Sequence, residues 1–186
     1  MNIRGLVLAG GRSRRFGQDK AAESFKGRTF LEIAAGKLRD AGLKPVVVTH
    51  AEADYPFLDC PVLRDKLPDK GPLGGIYTAM TVFPDTGFIV LTCDMPSVAV
   101  KMLSELLLVH GRTGAGAVFR STADPRPQPF PGLYPAAYLP LLQKRLYAEK
   151  LSMEGFLEEA ATPVVDWPDA RAFLNINRPG DLALLF

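Results

Sequence analysis

The stretch of sequence that decides the fold is FIVLTCDMP, residues 88–96. Its first five residues form a continuous apolar and β-branched run, which is typical of a central strand covered on both faces. Pro96 ends the extended segment and leaves Asp94 at the carboxyl end of the strand. Because open α/β sheets bind their ligands in the crevice at that edge, the stretch predicts a buried sheet and also the position of its site.

Short apolar runs alternate with longer helical patterns on both sides of this stretch. The alternation predicts a Rossmann-like, three-layer α/β/α fold with a mostly parallel central sheet. The predicted strands are residues 3–8, 45–49, 62–64, 88–92, 116–120, 132–134 and 164–165, and the predicted helices are 29–41, 73–82, 97–110, 136–147 and 153–160. Thr29 and Glu32 have capping-box spacing in the first helix, and Ser97 is placed to cap the third. We expect the proline-rich segment 122–131 to be irregular and Pro179 to begin a terminal helix.

The distribution of charge indicates a local anion site. The chain has 186 residues, with 22 Lys and Arg against 20 Asp and Glu, and a formal charge of +2. Five cationic residues lie within residues 1–20, against the single acid Asp19. A compact cationic cluster in a balanced chain indicates a site for a small polyanion, whereas a nucleic-acid binder spreads its cations over a face. We therefore expect no nucleic-acid partner.

The lengths of the apolar runs and the numbers of cysteines and histidines argue against a membrane protein and a zinc protein. No apolar stretch approaches the ~20 residues that span a bilayer, so we expect no membrane contact and a cytoplasmic location. Length and the lack of a linker predict one domain over residues 1–186. Two cysteines and two histidines, in unrelated contexts, argue against a zinc site. His50 and His110 are expected at the surface or beside a helix.

The loop after the first predicted strand concentrates glycines and cations in LAGGRSRRFGQDK, residues 8–20. Its spacing matches neither the dinucleotide fingerprint nor the Walker loop. Gly10 and Gly11 allow main-chain N–H donors to approach a ligand, and Arg15 and Lys20 can neutralise phosphate charge. The alternative is an ordinary glycine turn with solvated arginines. The position at the carboxyl end of a strand favours a phosphate-binding loop.

Two carboxylates are candidates for the same site. Asp94 is suited to Mg²⁺, which takes one or two carboxylates and completes its shell with water and substrate phosphates. The alternative role for Asp94 is a helix N-cap. Asp65, at the end of a short strand, is interpreted either as a base or ribose contact or as a solvated charge paired with Lys66 or Lys70.

Two further motifs place small or amide residues near predicted element ends. GPLGG, residues 71–75, precedes a helix and allows either a ligand or a neighbouring strand to pack against the backbone. NINRP, residues 175–179, places two amides on one side of an extended segment with Ile176 directed into the core. Its alternative role is helix capping.

In its order of motifs, the sequence resembles the molybdenum cofactor guanylyltransferase (MobA) family of the nucleotidyltransferase superfamily. The motifs that carry the resemblance are the loop at 8–20, GPLGG at 71–75, CDMP at 93–96 and NINRPGDL at 175–182. The similarity extends over nearly the whole chain. It implies a fold of the nucleotide-diphospho-sugar transferase type. It also implies Mg²⁺-dependent transfer of GMP from GTP to the terminal phosphate of molybdenum-bearing molybdopterin, with release of pyrophosphate. Other molybdenum-cofactor proteins are then expected as transient partners.

The residue patterns and the resemblance together predict the site. The nucleotide-binding residues are Leu8, Ala9, Gly10, Gly11, Lys20, Thr49, Asp65, Gly71, Gly75 and Asp94; the catalytic residues are Arg15, Lys20 and Asp94; the acceptor-binding residues are Asn175 and Asn177; and the metal ligand is Asp94. Residues 1–96 form the nucleotide-binding half and 97–186 the acceptor-binding half. Thr49 stands where the family often has Asn, Phe16 where it has Met and Arg178 where it has Thr.

Two other functions are compatible with this sequence. One is a sibling nucleotidyltransferase that uses CTP or a sugar-phosphate acceptor, because base choice depends on loop geometry. The other is a non-catalytic nucleotide- or RNA-binding module that uses the basic loop, which the balanced charge elsewhere disfavours. For the transferase, the attacking phosphate oxygen is already anionic, so no general base is required. Catalysis would then depend on alignment and on charge neutralisation of the departing pyrophosphate by Arg15 and Lys20.

Overall fold

The structure is a computed structural model that describes residues 2–9, 24–25, 27–50, 55–67, 69–176, 180–181 and 183. Much of the glycine- and arginine-rich loop and the end of the chain fall outside these ranges. The predictions that therefore lie outside the described residues are those for Gly10, Gly11, Arg15, Phe16, Lys20, Asn177, Arg178 and Pro179.

Nine strands and five helices make up the described chain. The strands are β1 (Asn2–Leu8), β2 (Ser24–Phe25), β3 (Arg28–Thr29), β4 (Pro45–Thr49), β5 (Val62–Arg64), β6 (Thr86–Thr92), β7 (Ala117–Ser121), β8 (Pro127–Tyr134) and β9 (Val164–Trp167). The helices are α1 (Phe30–Asp40), α2 (Gly71–Val82), α3 (Val100–Thr113), α4 (Leu139–Tyr147) and α5 (Met153–Glu159), with short 3-10 helices at Ala136–Tyr138 and Ala170–Phe173.

The central sheet has seven strands in the order β5-β4-β1-β6-β8-β7-β9. β5, β4, β1 and β6 are parallel neighbours, and β9 is parallel to β7. β8 is antiparallel to both β6 and β7, so among the strands of this sheet it alone is reversed. The predicted α/β class with a mostly parallel sheet is confirmed. β2 and β3 form a separate antiparallel pair, which the sequence analysis missed.

Helices cover both faces of the sheet. A Cβ on Gly5 would lie 2.6 Å from Leu38 of α1, whereas Leu8 packs against Gly75 of α2. Residues 5 and 8 of a strand point to opposite faces, so α1 and α2 lie on opposite sides. α3 contacts α1, and α4 contacts α2, which completes the predicted three layers. Phe88 to Leu91 are buried, as expected for a strand covered on both faces.

The capping box predicted for the first helix is present. The Thr29 side chain accepts a hydrogen bond from the Glu32 N–H, and a Glu32 carboxylate oxygen accepts one from the Thr29 N–H at 2.7 Å. The Thr29 N–H and then the Thr29 hydroxyl, which donates to the same carboxylate oxygen at 2.8 Å, lower the pKa of the Glu32 carboxyl because they stabilise its charged form. α1 therefore begins where the sequence predicted.

Three boundaries differ from the predictions. α3 begins at Val100 with Ala99 as its N-cap, so the prediction that Ser97 caps it was wrong. The intervening residues form a turn in which the Val98 N–H donates to the Met95 carbonyl. α2 begins two residues earlier than expected. The helix predicted at 136–147 is divided into a 3-10 helix and α4, which has Pro in its first turn.

The proline-rich segment differs most from its prediction. Residues 127–131 were expected to be irregular, but β8 begins at Pro127 and pairs with β7 through Gln128↔Phe119 and Pro127↔Arg120. Before Gly132, β8 pairs with β7 alone among the described strands, so proline is tolerated at positions where no neighbouring strand requires an N–H. Composition alone does not indicate this. Among the described helices, none is long and apolar enough to cross a membrane.

Candidate functional site

Two clefts open at the carboxyl edge of the parallel strands and share Thr92, the last residue of β6. The α2 cleft encloses about 330 Å³ and is lined by Leu8, Val48, Thr49, His50, Asp65, Gly71, Pro72, Gly75 and Thr92. The β8 cleft encloses about 520 Å³ and is lined by Thr92, Asp94, Met95, Gln128, Pro129, Phe130 and Asn175. Both volumes include space open to solvent. The clefts lie at the edge where the sequence placed the site.

The floor of the α2 cleft requires a glycine. A Cβ on Gly75 would lie 2.7 Å from a methyl carbon of Leu8 and 3.6 Å from one of Val48. The packing interpretation of the GPLGG motif therefore holds at Gly75, which also lines the cleft together with Gly71. Ala9 lies beside this floor and extends β1 by donating its N–H to the Val48 carbonyl at 2.8 Å.

Asp65 forms a fixed wall of the α2 cleft. Its side chain is 2% exposed, and its Oδ1 accepts hydrogen bonds from the Thr78 hydroxyl at 2.9 Å and the Leu67 N–H at 3.0 Å. The alternative of a solvated charge paired with a lysine was wrong. The Lys66 ammonium donates to Thr81, and the Lys70 ammonium contacts Glu149.

His50 is exposed, as expected, and it also lines the α2 cleft. Its Nδ1 lies 3.7 Å from Oδ2 of Asp65, and its side chain is 34% exposed. A position directly after β4, beside Thr49, is the signal that could have identified it, because such positions face the crevice of an open sheet. His110, by contrast, lies at the end of α3 as predicted, with Nδ1 2.7 Å from the Ala115 carbonyl oxygen.

The β8 cleft exists because β6 and β8 separate. Their ladder runs from Phe88↔Tyr134 to Val90↔Gly132. The next residue of β8 is Pro131, which has no N–H to donate. Because β8 is reversed, its first residues lie beside the carboxyl end of β6. The segment from Thr92 to Asp94 therefore faces Gln128 and Phe130 across an open gap.

The end of the chain closes this cleft from a third side. Ile176 is fully buried, as predicted, and its N–H donates to the main-chain carbonyl of Asp94 at 2.8 Å. This hydrogen bond brings the exposed Asn175 to the cleft beside Asp94. Asp94 and Ile176, 82 positions apart in sequence, thus meet at one point.

Asp94 lies in the turn between β6 and α3, and the N-cap alternative was wrong, because α3 begins six residues later. α1 holds this turn through Lys37, whose ammonium contacts the main-chain carbonyls of Pro96 and Val98. Burial lowers the pKa of Lys37 to about 8.

The donor set at Asp94 suits a cation that is shared with a ligand. Among the described residues, no group of three or more His, Cys, Asp or Glu side chains could hold a metal ion. Asp94 can therefore provide one carboxylate, and the other positions would be filled by water and phosphate oxygens, which is how Mg²⁺ is commonly bound.

Arg4 takes no part in either cleft. Its guanidinium carbon lies 4.2 Å from the centre of the Phe83 ring. Arg4 is four residues before Leu8 on β1, roughly 13 Å from the edge that carries the clefts.

Two adjoining clefts at the carboxyl edge of an open, mostly parallel sheet, one of them lined by Asp94, can hold two ligands side by side, as an enzyme that joins a nucleotide to a second substrate requires. The family model described as the MobA-like NTP transferase domain matches residues 5–163. The chain belongs to this family.

Relatives of comparable length support the same class. The molybdenum cofactor guanylyltransferase of Cereibacter sphaeroides is 32% identical, over 98% of this chain and 95% of the relative. A probable molybdenum cofactor guanylyltransferase of Opitutus terrae is 33% identical, over 96% of this chain and 92% of the relative.

Solved structures show a similar fold. Molybdopterin-guanine dinucleotide biosynthesis protein A of Archaeoglobus fulgidus has a TM-score of 0.78 at 23% identity, over 99% of this chain and 96% of that one. The 2-C-methyl-D-erythritol 4-phosphate cytidylyltransferase of Thermus thermophilus has a TM-score of 0.69 at 18% identity, over 97% and 95%. At these identities the likeness concerns the fold.

Proposed function

We propose that this nucleotidyltransferase transfers GMP from GTP to the terminal phosphate of molybdenum-bearing molybdopterin, with release of pyrophosphate. The observation that carries the proposal is the junction of the two clefts at Thr92, beside Asp94. Two phosphate-bearing substrates bound in adjoining clefts would meet there, next to a carboxylate able to hold a cation. The guanylyltransferase names of the relatives from Cereibacter and Opitutus support this choice of substrates.

We assign the α2 cleft to the nucleotide and the β8 cleft to the acceptor. The lining of the α2 cleft comes from residues 8–92, and that of the β8 cleft from residues 92–175. This distribution supports the division into a nucleotide-binding half, 1–96, and an acceptor-binding half, 97–186, of one domain, except that Thr92, Asp94 and Met95 of the first half also line the β8 cleft. The cationic loop follows β1 directly, so its phosphate-binding residues would enter from the nucleotide side.

The nucleotide residues then have distinct tasks. Leu8 and Gly75 form an apolar floor for the base or ribose, and Asp65 presents a carboxylate held in place by Thr78. Thr49 lines the same cleft where the family often has Asn, so its hydroxyl would replace an amide contact. Main-chain donors of Gly10 and Gly11 and the ammonium of Lys20 would bind the phosphates. Asn175 and Asn177 would hold the acceptor.

Bound Mg²⁺ would neutralise charge on the nucleotide phosphates, and Asp94 would hold it. A solved neighbour from Mycobacterium tuberculosis, with a TM-score of 0.62 at 20% identity, is described as a complex with manganese.

The chemistry requires alignment and charge neutralisation. A terminal phosphate oxygen of the acceptor attacks the α-phosphorus of GTP and forms a new P–O bond. The bond from the α-phosphorus to the bridging oxygen breaks, and pyrophosphate leaves with the electron pair. The attacking oxygen carries no proton that must be removed, so no general base is required. Arg15 and Lys20 stabilise the leaving group.

The decisive test is dinucleotide formation by the purified chain from GTP, Mg²⁺ and molybdenum-bearing molybdopterin. The reaction is monitored through the release of pyrophosphate. Asp94→Asn and Lys20→Ala should each lower kcat by a factor of ~10²–10³. Asp85→Asn is the matched control, because Asp85 is exposed at a φ of +58° that Asn also tolerates. Near-normal turnover of either site variant would exclude its role. Efficient use of CTP in place of GTP would identify the sibling enzyme instead.

A further inference from the structure

We infer that Gln128 recognises the ring edge of the acceptor and so determines which acceptor is used. The inference rests on the proposed function and concerns a residue that the sequence analysis did not single out. Gln128 lies on β8, the reversed strand, whose first residues form the wall of the β8 cleft opposite Asp94.

Gln128 has an uncommitted amide in a sheltered place. Its side chain is half-buried, and within the described part of the chain its carboxamide makes no hydrogen bond, as is also true of the side chains of Thr92 and Asn175. A polar group sheltered from water gains most from a ligand that supplies its missing partners. Three uncharged polar side chains therefore face one cleft with their donors and acceptors available.

The apolar part of the cleft indicates a flat ligand. Phe130 lies two residues along the same strand, is almost fully buried, and lines the cleft with Met95. An aromatic ring and a thioether offer a surface on which a planar heterocycle can pack.

A glutamine carboxamide has an acceptor and a donor side by side. It can therefore form paired hydrogen bonds with a ring edge that places a carbonyl next to an N–H. The pyrimidinone ring of a pterin has such an edge. Guanine has the same edge, but the nucleotide is assigned to the other cleft, so the two readings differ in which substrate constant depends on Gln128.

The strand that carries Gln128 is held in place. The Tyr134 hydroxyl donates to the Pro129 carbonyl at 2.7 Å, and a Cβ on Gly132 would lie 2.5 Å from that same oxygen. The Tyr134 hydrogen bond fixes the main chain at the residue after Gln128, and pairing with Phe119 fixes Gln128 itself. A contact fixed in this way can discriminate between ligands.

The test is a comparison of Gln128→Leu with the full-length wild type in the reaction with GTP, Mg²⁺ and molybdenum-bearing molybdopterin. Loss of paired hydrogen bonds should raise the KM for molybdopterin about 5- to 30-fold. The kcat at saturation and the KM for GTP should stay within about twofold, because phosphate alignment at the cleft junction is untouched. Gln143→Leu, at an exposed position of α4, is the matched control and should behave as wild type.

Each result has a defined meaning. An unchanged KM for molybdopterin, or a raised KM for GTP in its place, overturns the role of Gln128 and leaves the proposed function intact. A wild-type enzyme that forms no dinucleotide from these substrates overturns both. If Gln128→Leu fails to fold, Gln128→Met, with an unbranched side chain of similar length, provides the same comparison.

Discussion

Lys37 is a half-buried cation whose role is to hold the turn that carries Asp94. Its ammonium contacts the main-chain carbonyls of Pro96 and Val98, the two neighbours of Ser97 in the chain. Met95, the residue before Pro96, lines the β8 cleft. Carbonyl groups in such a turn would otherwise lack donors, which costs about 1–3 kcal/mol for each buried group. Burial disfavours the charged form of the amine. The contacts of Lys37 with the two carbonyls therefore form in spite of the free energy needed to remove water from its ammonium.

The pKa of Lys37 predicts a pH dependence of stability. Burial lowers it to about 8 from the ordinary value of 10.5, so between these pH values the unfolded chain binds more protons than the folded one. The free energy of unfolding of the wild type should therefore rise relative to that of Lys37→Met as pH increases from 8 to 10.5, by less than about 1.4 kcal/mol per pH unit because the amine is partly solvated. Urea unfolding of both proteins at pH 7.5 and 9.5 measures the difference.

The control for this prediction is Lys101→Met, which removes an exposed lysine from α3. The same pH dependence in wild type and Lys37→Met would show that Lys37 titrates alike in the folded and unfolded chains. The amine would then not be buried in the way that the contacts with the turn require.

At the scale of elements, the site depends on the point where β6 and β8 separate. Parallel strands β5, β4, β1 and β6 end together, and the reversed β8 begins where they end. Gly132 is the first residue of β8, in chain order, that pairs with β6, and it lies against the Pro129 carbonyl. The shape of the acceptor wall is therefore set by main-chain packing within one strand.

Gly132→Ala should disturb this wall. A Cβ there would lie 2.5 Å from the Pro129 oxygen and 3.0 Å from the Tyr134 ring, and a main-chain atom cannot move as a side-chain end can. We expect a loss of roughly 1–3 kcal/mol in the free energy of unfolding and a raised KM for the acceptor. Urea unfolding and initial-rate kinetics measure the two effects.

Gly111→Ala is the opposite case and serves as the control. Gly111 lies inside α3, and a Cβ there would meet no atom within 4 Å among the described residues. Alanine favours the helix by about 0.5–1 kcal/mol, so this variant should be slightly more stable than wild type. Equal stability of the two alanine variants would contradict the close packing at Gly132.

At the scale of the whole molecule, sequence patterns predict the sheet and the edge that carries the site. They do not predict which side chains from other segments line the clefts at that edge. The apolar run at 88–92 identified β6, and Asp94 and Asp65 were found because they follow strands. Gln128 was missed because a segment with four prolines does not resemble a strand. Its pairing with β7, the strand just before it in the chain, depends on main-chain geometry that the proline pattern does not reveal. The position of His50 after a strand could have identified it in the same way, but its contact with Asp65 depends on the pairing of β4 with β5, which the residue pattern does not reveal.

The distribution of charge over the molecule yields the last prediction, which concerns nucleic acid. Five cations on the described surface are paired with carboxylates, in Arg120–Asp166, Arg126–Asp124, Lys144–Glu159, Lys70–Glu149 and Arg171–Asp169. The close Arg126 guanidinium, which donates hydrogen bonds to Asp124, lowers the pKa of that carboxyl to about 2, so the pair stays ionised at neutral pH. With a formal charge of +2 overall, the chain has little surplus with which to neutralise a phosphate backbone.

A single-stranded RNA of about 20 nucleotides should therefore bind more weakly than the ~10⁻⁴–10⁻⁶ M typical of non-specific binders at physiological salt. GTP with Mg²⁺, measured by the same fluorescence competition, should bind at that salt because it needs only the local cluster after β1. RNA affinity that falls by ~10³-fold or more between 50 and 200 mM salt would indicate many phosphate contacts and would support the RNA-binding module instead. The comparison thus separates a protein with one charged pocket from one with a charged face.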